Sequence, residues 1–321
     1  MRWLARIRPD NFTLGLLGMV ALASVLPAHG TFAAGFATAT KGAIALLFFL
    51  YGARLSTKTV LDGLTHWRLH LAVSASTWVL FPLLGLAVVA LPDAVLPHDL
   101  AIGILFLSCL PSTVQSSIAF TSIAGGNVSA AICSASTSNL MGVVLTPLLV
   151  GLLMGAQSGG VSLDSIQTIA LQILAPFVVG HSLRPLIGAW AGRNKKALGF
   201  VDRGSILMVV YGAFSEAVSH GLWSQLSVPA LVAMVVVEGV FLALVLWATG
   251  WGSRRLGFSR PDQIAIVFCG SKKSLATGAP MASVLFPAAT AGMVVLPLML
   301  FHQIQLMVCA VLARKWAEKA A

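Results

Sequence analysis

Ile264-Ala-Ile-Val-Phe-Cys-Gly-Ser-Lys-Lys-Ser-Leu-Ala-Thr-Gly-Ala-Pro280 sets two adjacent lysines and a run of small polar residues inside an otherwise apolar stretch, approximately 262–286. The chain around it is of the same apolar character. Its 321 residues are 58% hydrophobic and 9% charged, with a mean hydropathy of +0.92. Soluble domains carry about 25% charged residues, so lipid and not water is the solvent for most of this surface. A spanning helix needs roughly 20 apolar residues. The chain supplies ten such stretches, approximately 12–29, 35–52, 69–91, 100–124, 128–154, 165–183, 205–222, 228–250, 262–286 and 289–313. Little is left over for a soluble catalytic domain, and long runs such as Ala230–Trp247 read as helices and not as the short alternating strands of a barrel. Arg2, Arg6 and Arg8 before the first stretch resemble a signal peptide, but nothing after it resembles a secreted domain, so it is read as the first helix.

The basic residues test the count, because cytoplasmic loops retain Lys and Arg. With ten helices and both termini cytoplasmic, all of the 20 Lys and Arg except Lys41, Lys272 and Lys273 fall in cytoplasmic segments. Asp93, Asp99 and Asp164 occupy the opposite loops. The net charge of +10 therefore reports topology in a cell (inner) membrane. It does not indicate nucleic-acid binding, which would need a soluble basic domain or an aromatic-basic patch. Cys109, Cys133, Cys269 and Cys309 lie inside the stretches with no C-x-x-C pair and read as apolar packing residues. The histidines show no metal-ligand spacing, and no cofactor is implied.

Division near Arg193–Arg203 leaves five helices on each side, so a repeat relating the halves, 12–154 and 165–313, must be inverted. Met141-Gly-Val-Val-Leu-Thr-Pro147-Leu-Leu in the first half echoes Gly292-Met-Val-Val-Leu-Pro297-Leu-Met-Leu in the second. Upstream of each stands a Cys and a polar run: Cys109-Leu-Pro-Ser-Thr-Val-Gln-Ser-Ser117 in the fourth stretch, Cys269-Gly-Ser-Lys-Lys-Ser274 in the ninth. Pro111 removes a backbone hydrogen bond and Ser112, Thr113, Gln115, Ser116 and Ser117 compete for others, so the fourth helix is expected to be broken. Gly270 and the following polar residues predict the same for the ninth. Irregular backbone at membrane depth lines a cavity or is buried in protein, and paired interruptions point to a transporter's binding site. Asn139, preceded by Ser134, Ser136, Thr137 and Ser138, adds a polar patch to the fifth helix; small hydroxyl residues there also serve close helix packing.

An ammonium at the bilayer centre costs about 2.5–3.5 kcal/mol on insertion scales. Neighbours on a regular helix point about 100° apart, so Lys272 and Lys273 face one cavity only if the backbone is unwound. Lys273 is expected to carry the function, between Ser271 and Ser274, with Lys272 as companion; the alternative is that both snorkel to a surface. Glu216 and Glu238, the acids inside the stretches, are open candidates for pairing a lysine or for remaining protonated.

The order of these features resembles the bile acid:sodium symporter family, in its bacterial branch of bile acid symporter-like proteins. The resemblance covers nearly the whole chain. It rests on Leu47-Phe-Phe-Leu-Tyr-Gly52-Ala-Arg-Leu-Ser, Phe81-Pro82, Cys109-Leu-Pro111-Ser-Thr, Gly126-Asn127-Val128, Thr146-Pro147 and Gly270-Ser-Lys-Lys-Ser-Leu-Ala. It implies an all-α membrane protein of ten transmembrane helices in two inverted five-helix repeats, with broken, crossing helices four and nine. Helices 1, 2, 6 and 7 would form a panel, and helices 3–5 and 8–10 a core. Members with known activity couple entry of an organic anion to sodium, held by hydroxyls and an amide on helices four and five, a Gln on helix three, and a Glu and a Gln on helix nine. Carried over, the helix-four metal ligands map to Ser116 and Ser117. The helix-five hydroxyl positions fall at Ala131 and Ala135, helix three offers Thr77 for Gln, and helix nine offers Phe268 near the Glu position and Lys272 near the Gln. Two unit charges 4 Å apart interact by about 4 kcal/mol at an effective dielectric of about 20, so a charged lysine there opposes sodium.

Two mechanisms follow. Lysine supplies a permanent positive charge to an ion-independent carrier of small organic anions, or it loses and regains a proton each cycle and couples transport to protons. The expected function is secondary transport by alternating access of core against panel. The alternatives are a sodium-coupled symporter with an intact site and a non-transporting membrane scaffold. An enzyme is not expected, since no nucleophile–base set is visible.

Overall fold

The computed structural model describes residues 11–54, 66–154 and 170–318, and among these no β-strand occurs. Arg2, Arg6, Arg8, Lys58, Asp164 and Lys319, and the start of the sixth stretch at 165–169, lie outside the described residues. In chain order the helices are α1 (Asn11–Val25), α2 (Gly30–Arg54), α3 (Trp67–Ala75), α4 (Phe81–Val89), α5 (His98–Ser108), α6 (Gln115–Ile123) and α7 (Val128–Met154). They continue as α8 (Ala175–Ser182), α9 (Arg184–Arg193), α10 (Lys195–Ser219), α11 (Val228–Arg255), α12 (Arg260–Gly270), α13 (Leu275–Leu285) and α14 (Ala288–Glu318). A short helical turn at 222–225 precedes α11.

Six helices are long and apolar enough to cross a bilayer: α2, the continuous run Trp67–Val89, α7, α10, α11 and α14. A seventh is obtained if Leu171–Ser182 and Arg184–Arg193, bent by 91°, count as one span. The protein is thus a multi-pass membrane protein. The charged stretch near 193–203, expected as a connection, is helical instead: α9 occupies 184–193, and α10 begins at Lys195 and not at 205. Hydropathy ends a stretch at its first charges, but Lys, Arg and Ala are good helix formers and let the helix run on into the interface.

Inside Trp67–Val89 the helix widens to a π-turn at Ser76–Leu80, where the Phe81 N–H reaches the Ser76 carbonyl. In that register the Thr77 carbonyl would be served by residue 82. Residue 82 is proline and has no N–H, so the sequence frees the Thr77 oxygen for another partner.

The described chain forms two compact units. The first holds 11–54, 170–227 and 279–295, and the second 66–154, 228–278 and 296–318. In the first, glycines let α2 and α8 touch backbone to backbone: a methyl group at Gly52 would lie 2.0 Å from the Phe177 carbonyl oxygen, and one at Gly180 equally close to that of Phe49. Arg54 closes this unit with two donations to the Asp202 carboxylate, at 2.6 and 3.2 Å.

In the second unit, the Gly126-Asn127-Val128 turn between α6 and α7 is tied to the start of α12. The Asn127 N–H donates to the Pro261 carbonyl at 2.9 Å. Its side-chain amide donates to Asp262 Oδ1 at 2.8 Å, and its Oδ1 accepts the Ala130 N–H at 3.0 Å, which caps α7. Gly126 leaves room for Ile264, which a methyl group would approach to 2.5 Å.

Candidate functional site

The chain is non-helical at 109–114, between α5 and α6, and at 271–274, between α12 and α13. Both breaks lie in the second unit and meet there. Buried backbone groups need partners, so a helix broken in the protein interior must find new ones for every carbonyl it frees. Those from Ser108 to Ser112 at the first break are taken up one by one. Cys109 O accepts the Thr146 hydroxyl at 2.8 Å. Pro111 O accepts the Ser274 N–H at 2.9 Å. Ser112 O accepts the Asn139 amide at 2.7 Å. Ser108 O and Leu110 O accept the Lys273 ammonium at 2.8 and 2.7 Å.

The end of α12 is treated the same way by hydroxyls from its neighbours. Ser117 donates to Phe268 O at 3.1 Å, Ser112 to Cys269 O at 2.6 Å and Ser76 to Gly270 O at 2.7 Å. The serines that weaken the fourth helix are thus the groups that satisfy the ninth.

Lys273 is fully buried. Its ammonium donates at 2.9 Å to the Thr77 oxygen released by Pro82, as well as to Ser108 and Leu110. An ammonium has three donors, and all three are used. The Phe81 ring lies 4.1 Å away. Gln305 of α14 fixes the backbone of the same lysine, accepting its N–H on Oε1 and donating from Nε2 to its carbonyl, each at 2.9 Å.

Lys272, also fully buried, points elsewhere. Its ammonium has no hydrogen-bond partner. It lies 3.8 Å from the centre of the Phe120 ring and 5.8 Å from that of Phe268, so the faces of aromatic rings provide its compensation. The unwound backbone does not bring both lysines into one cavity; it sends them to different neighbours. Neither lies within 4.0 Å of a carboxylate among the described residues, where Arg54 pairs with Asp202 and His220 Nδ1 stands 3.8 Å from Glu216. Glu238 is buried on α11 with both carboxyl oxygens unpartnered.

The other residues read from the sequence divide. Thr113, Ser116 and Ser117 form a hydroxyl cluster, with Thr113 Oγ1 2.6 Å from Ser116 Oγ and 3.2 Å from Ser117 Oγ. Asn139 joins the breaks, because its Oδ1 also accepts the Thr277 hydroxyl at 3.1 Å. Ser274 pairs with Thr277 at 3.0 Å, and Ser271 is buried at the end of α12. Gln115 does not join them. It stands exposed at the first position of α6, two residues and so about 200° around the helix from Ser117. Thr77 contributes its carbonyl and not its hydroxyl, which has no partner. Ala131 and Ala135 also offer backbone: Cys269 Sγ faces Ala131 O at 3.7 Å, and Asn139 donates to Ala135 O at 3.1 Å.

Gln305, Ser76 and Thr277 escaped the sequence reading; Ser138, which accepts the Ser112 N–H at 3.0 Å, was read only as part of the helix-five polar patch, and Thr146 only within a motif. Gln305 alone left a usable signal, an amide in the interior of an apolar span, where a polar group is costly unless bonded. No acidic side chain hydrogen-bonds at the meeting of the breaks, and no group of three or more His, Cys, Asp or Glu gathers among the described residues.

Comparison with known proteins agrees with a transporter. Residues 10–318 match the model of the SBF-like CPA transporter family. An uncharacterized protein of Pseudomonas aeruginosa is 58% identical over 315 residues, covering 98% of this chain and 95% of that one. The YfeH protein of Escherichia coli, by name a proposed symporter, is 55% identical over 310 residues, covering 97% and 93%. Sodium/bile acid cotransporter 7 of Rattus norvegicus is 28% identical over 318 residues, covering 97% and 94%. The family description and the latter two names are those of transporters and not of enzymes, and the chain belongs to the SBF-like CPA transporter family.

Proposed function

We propose that the protein carries a small organic anion across the cell membrane by alternating access, with its own lysines in place of a bound sodium ion. The observation that carries this reading is the Lys273 ammonium held by the Thr77, Ser108 and Leu110 carbonyls where the two breaks meet. Three converging oxygens are the ligand type that a hard cation takes, and here the cation is covalently part of the chain. Lys273 is saturated, which supports a permanent structural charge. Lys272, buried and unbonded, is then the group with donors to offer an anion, so the roles expected for the two lysines are exchanged.

Ten spans follow if α1, Leu171–Ser182 and each broken pair, α5 with α6 and α12 with α13, are counted beside the six long helices. The shared order of a broken span followed by a proline-containing helix, Pro147 in α7 and Pro297 in α14, supports two inverted repeats over 12–154 and 165–313. The cytoplasmic placement of both termini and the inner-membrane location rest on the distribution of Lys and Arg.

A second reading has one observation in its favour. The cluster of Thr113, Ser116 and Ser117 is a set of oxygen donors, as a sodium site would require. It lacks a carboxylate. Uptake of a panel of small organic anions into proteoliposomes, with and without sodium and pH gradients, separates the two. Uptake that is indifferent to sodium supports the lysine-based carrier. A sodium requirement, or a rise in melting temperature with sodium but not with potassium at equal ionic strength, assigns the cluster to sodium and ends the first reading.

A further inference from the structure

Away from the breaks, α11, α14 and Val267 of α12 bound a groove of about 430 Å³. Its walls are apolar, with Trp247, Trp251 and Trp316 among them, and its charged lining residues are Arg254 and Lys315. No acid lines it, and neither cation has a carboxylate partner among the described residues. Two further arginines stand at the same end on tryptophan faces: Arg255 lies 5.4 Å from the ring centre of Trp251, and Arg260 4.6 Å from that of Trp316. Asp262, the acid in the first turn of α12, is already bonded to Asn127 and Ser259.

The dimensions suit one class of ligand. From Leu246 to Arg254 the α11 residues that line the groove rise about 12 Å at about 1.5 Å per residue, and exposed Leu244 and Val240 beyond it extend the apolar face to about half of a hydrocarbon layer about 30 Å thick. Val240, Leu244 and Trp247 are 55%, 45% and 65% exposed. An apolar track one leaflet deep therefore ends at two unpaired cations and a belt of tryptophan, the level at which aromatic residues meet lipid headgroups. We infer that this groove binds an anionic phospholipid, with its phosphate at Arg254 and Lys315 and an acyl chain along α11. This site goes beyond the transport reading and does not depend on it.

The test uses the full-length protein in neutral detergent, titrated with phosphatidylglycerol, phosphatidylcholine or inorganic phosphate. Bound lipid is counted by native mass spectrometry and the melting temperature is followed in parallel. Phosphatidylglycerol is expected to give one retained lipid and a rise of a few degrees, at least tenfold more tightly than phosphatidylcholine. Arg254→Gln and Lys315→Gln should each weaken that preference, and the pair should remove it. Lys195→Gln with Lys196→Gln should leave it intact. Should the paired variant fail to fold, the single variants and Trp247→Leu, expected to loosen the acyl chain with both cations in place, decide the question. Equal binding of the two lipids, the same stabilisation by phosphate alone, equal loss in the Lys195/Lys196 control, or a stable dimer abolished by Trp247→Leu would each overturn the assignment.

Discussion

Gln305 grips both backbone polar groups of Lys273, taking its N–H on Oε1 and giving Nε2–H to its carbonyl at the same distance, 2.9 Å. A side-chain amide here replaces the backbone partner that the broken helix lost. The lysine's ammonium can then reach the Ser108 and Leu110 carbonyls at the other break, and that of Thr77 in the π-turn, without further ordering of the chain.

Gln305→Leu should therefore act at a distance on the ammonium. It leaves a buried N–H and C=O without partners, at about 1–3 kcal/mol each. A clear fall in melting temperature with loss of uptake is expected. A variant as stable as the parent would mean that the chain at Lys273 needs no such clamp.

The two lysines should separate by substitution. Lys273→Met strands the Thr77, Ser108 and Leu110 oxygens, at about 1–3 kcal/mol for each buried acceptor left unpaired, and should clearly destabilise the protein. Lys272→Met removes an ammonium with no hydrogen bond and should leave stability unchanged or raised while abolishing uptake. Equal stability losses in both variants would contradict this division.

A larger truncation offers a gain rather than a loss. Lys273→Ala leaves the three carbonyls around a vacant space the size of the side chain, so methylammonium or sodium should restore part of the lost melting temperature. Measurement with choline as the bulky control checks this; equal recovery with choline would point to general ionic strength.

In the first unit, Gly52→Ala should reduce folded yield sharply, because the added methyl would lie 2.0 Å from Phe177 O, and both elements meet there as rigid backbone. Gly42→Ala on the same helix, where nothing lies within 4 Å, is the control and should be neutral or mildly stabilising.

Asn127→Asp places a carboxylate against Asp262 Oδ1, now 2.8 Å from the amide nitrogen. The cap on α7 survives the change, so a loss of about 1–2 kcal/mol would measure charge repulsion between the α6–α7 turn and α12. Rescue by Asp262→Asn should follow, read as recovery of the melting temperature.

The apolar spans and the two interruptions were legible in the sequence, because each is a local property; that the charged stretch near 193–203 is helical was not. Hydropathy acts over one stretch, Pro111 removes its own N–H, and Gly270 with its polar neighbours weakens its own turn. The partners of the lysines were not legible. Glu216 and Glu238 were the visible candidates because charge is written in side chains, but Lys273 is held by carbonyls, which every residue carries. Which carbonyls are free depends on the π-turn before Pro82 and on the end of α5, and which of those converge depends on packing between segments far apart in the chain. The exposure of Gln115 beside buried Ser117 has the same origin: composition nominates both, and only the rotation of α6 against its neighbours chooses between them.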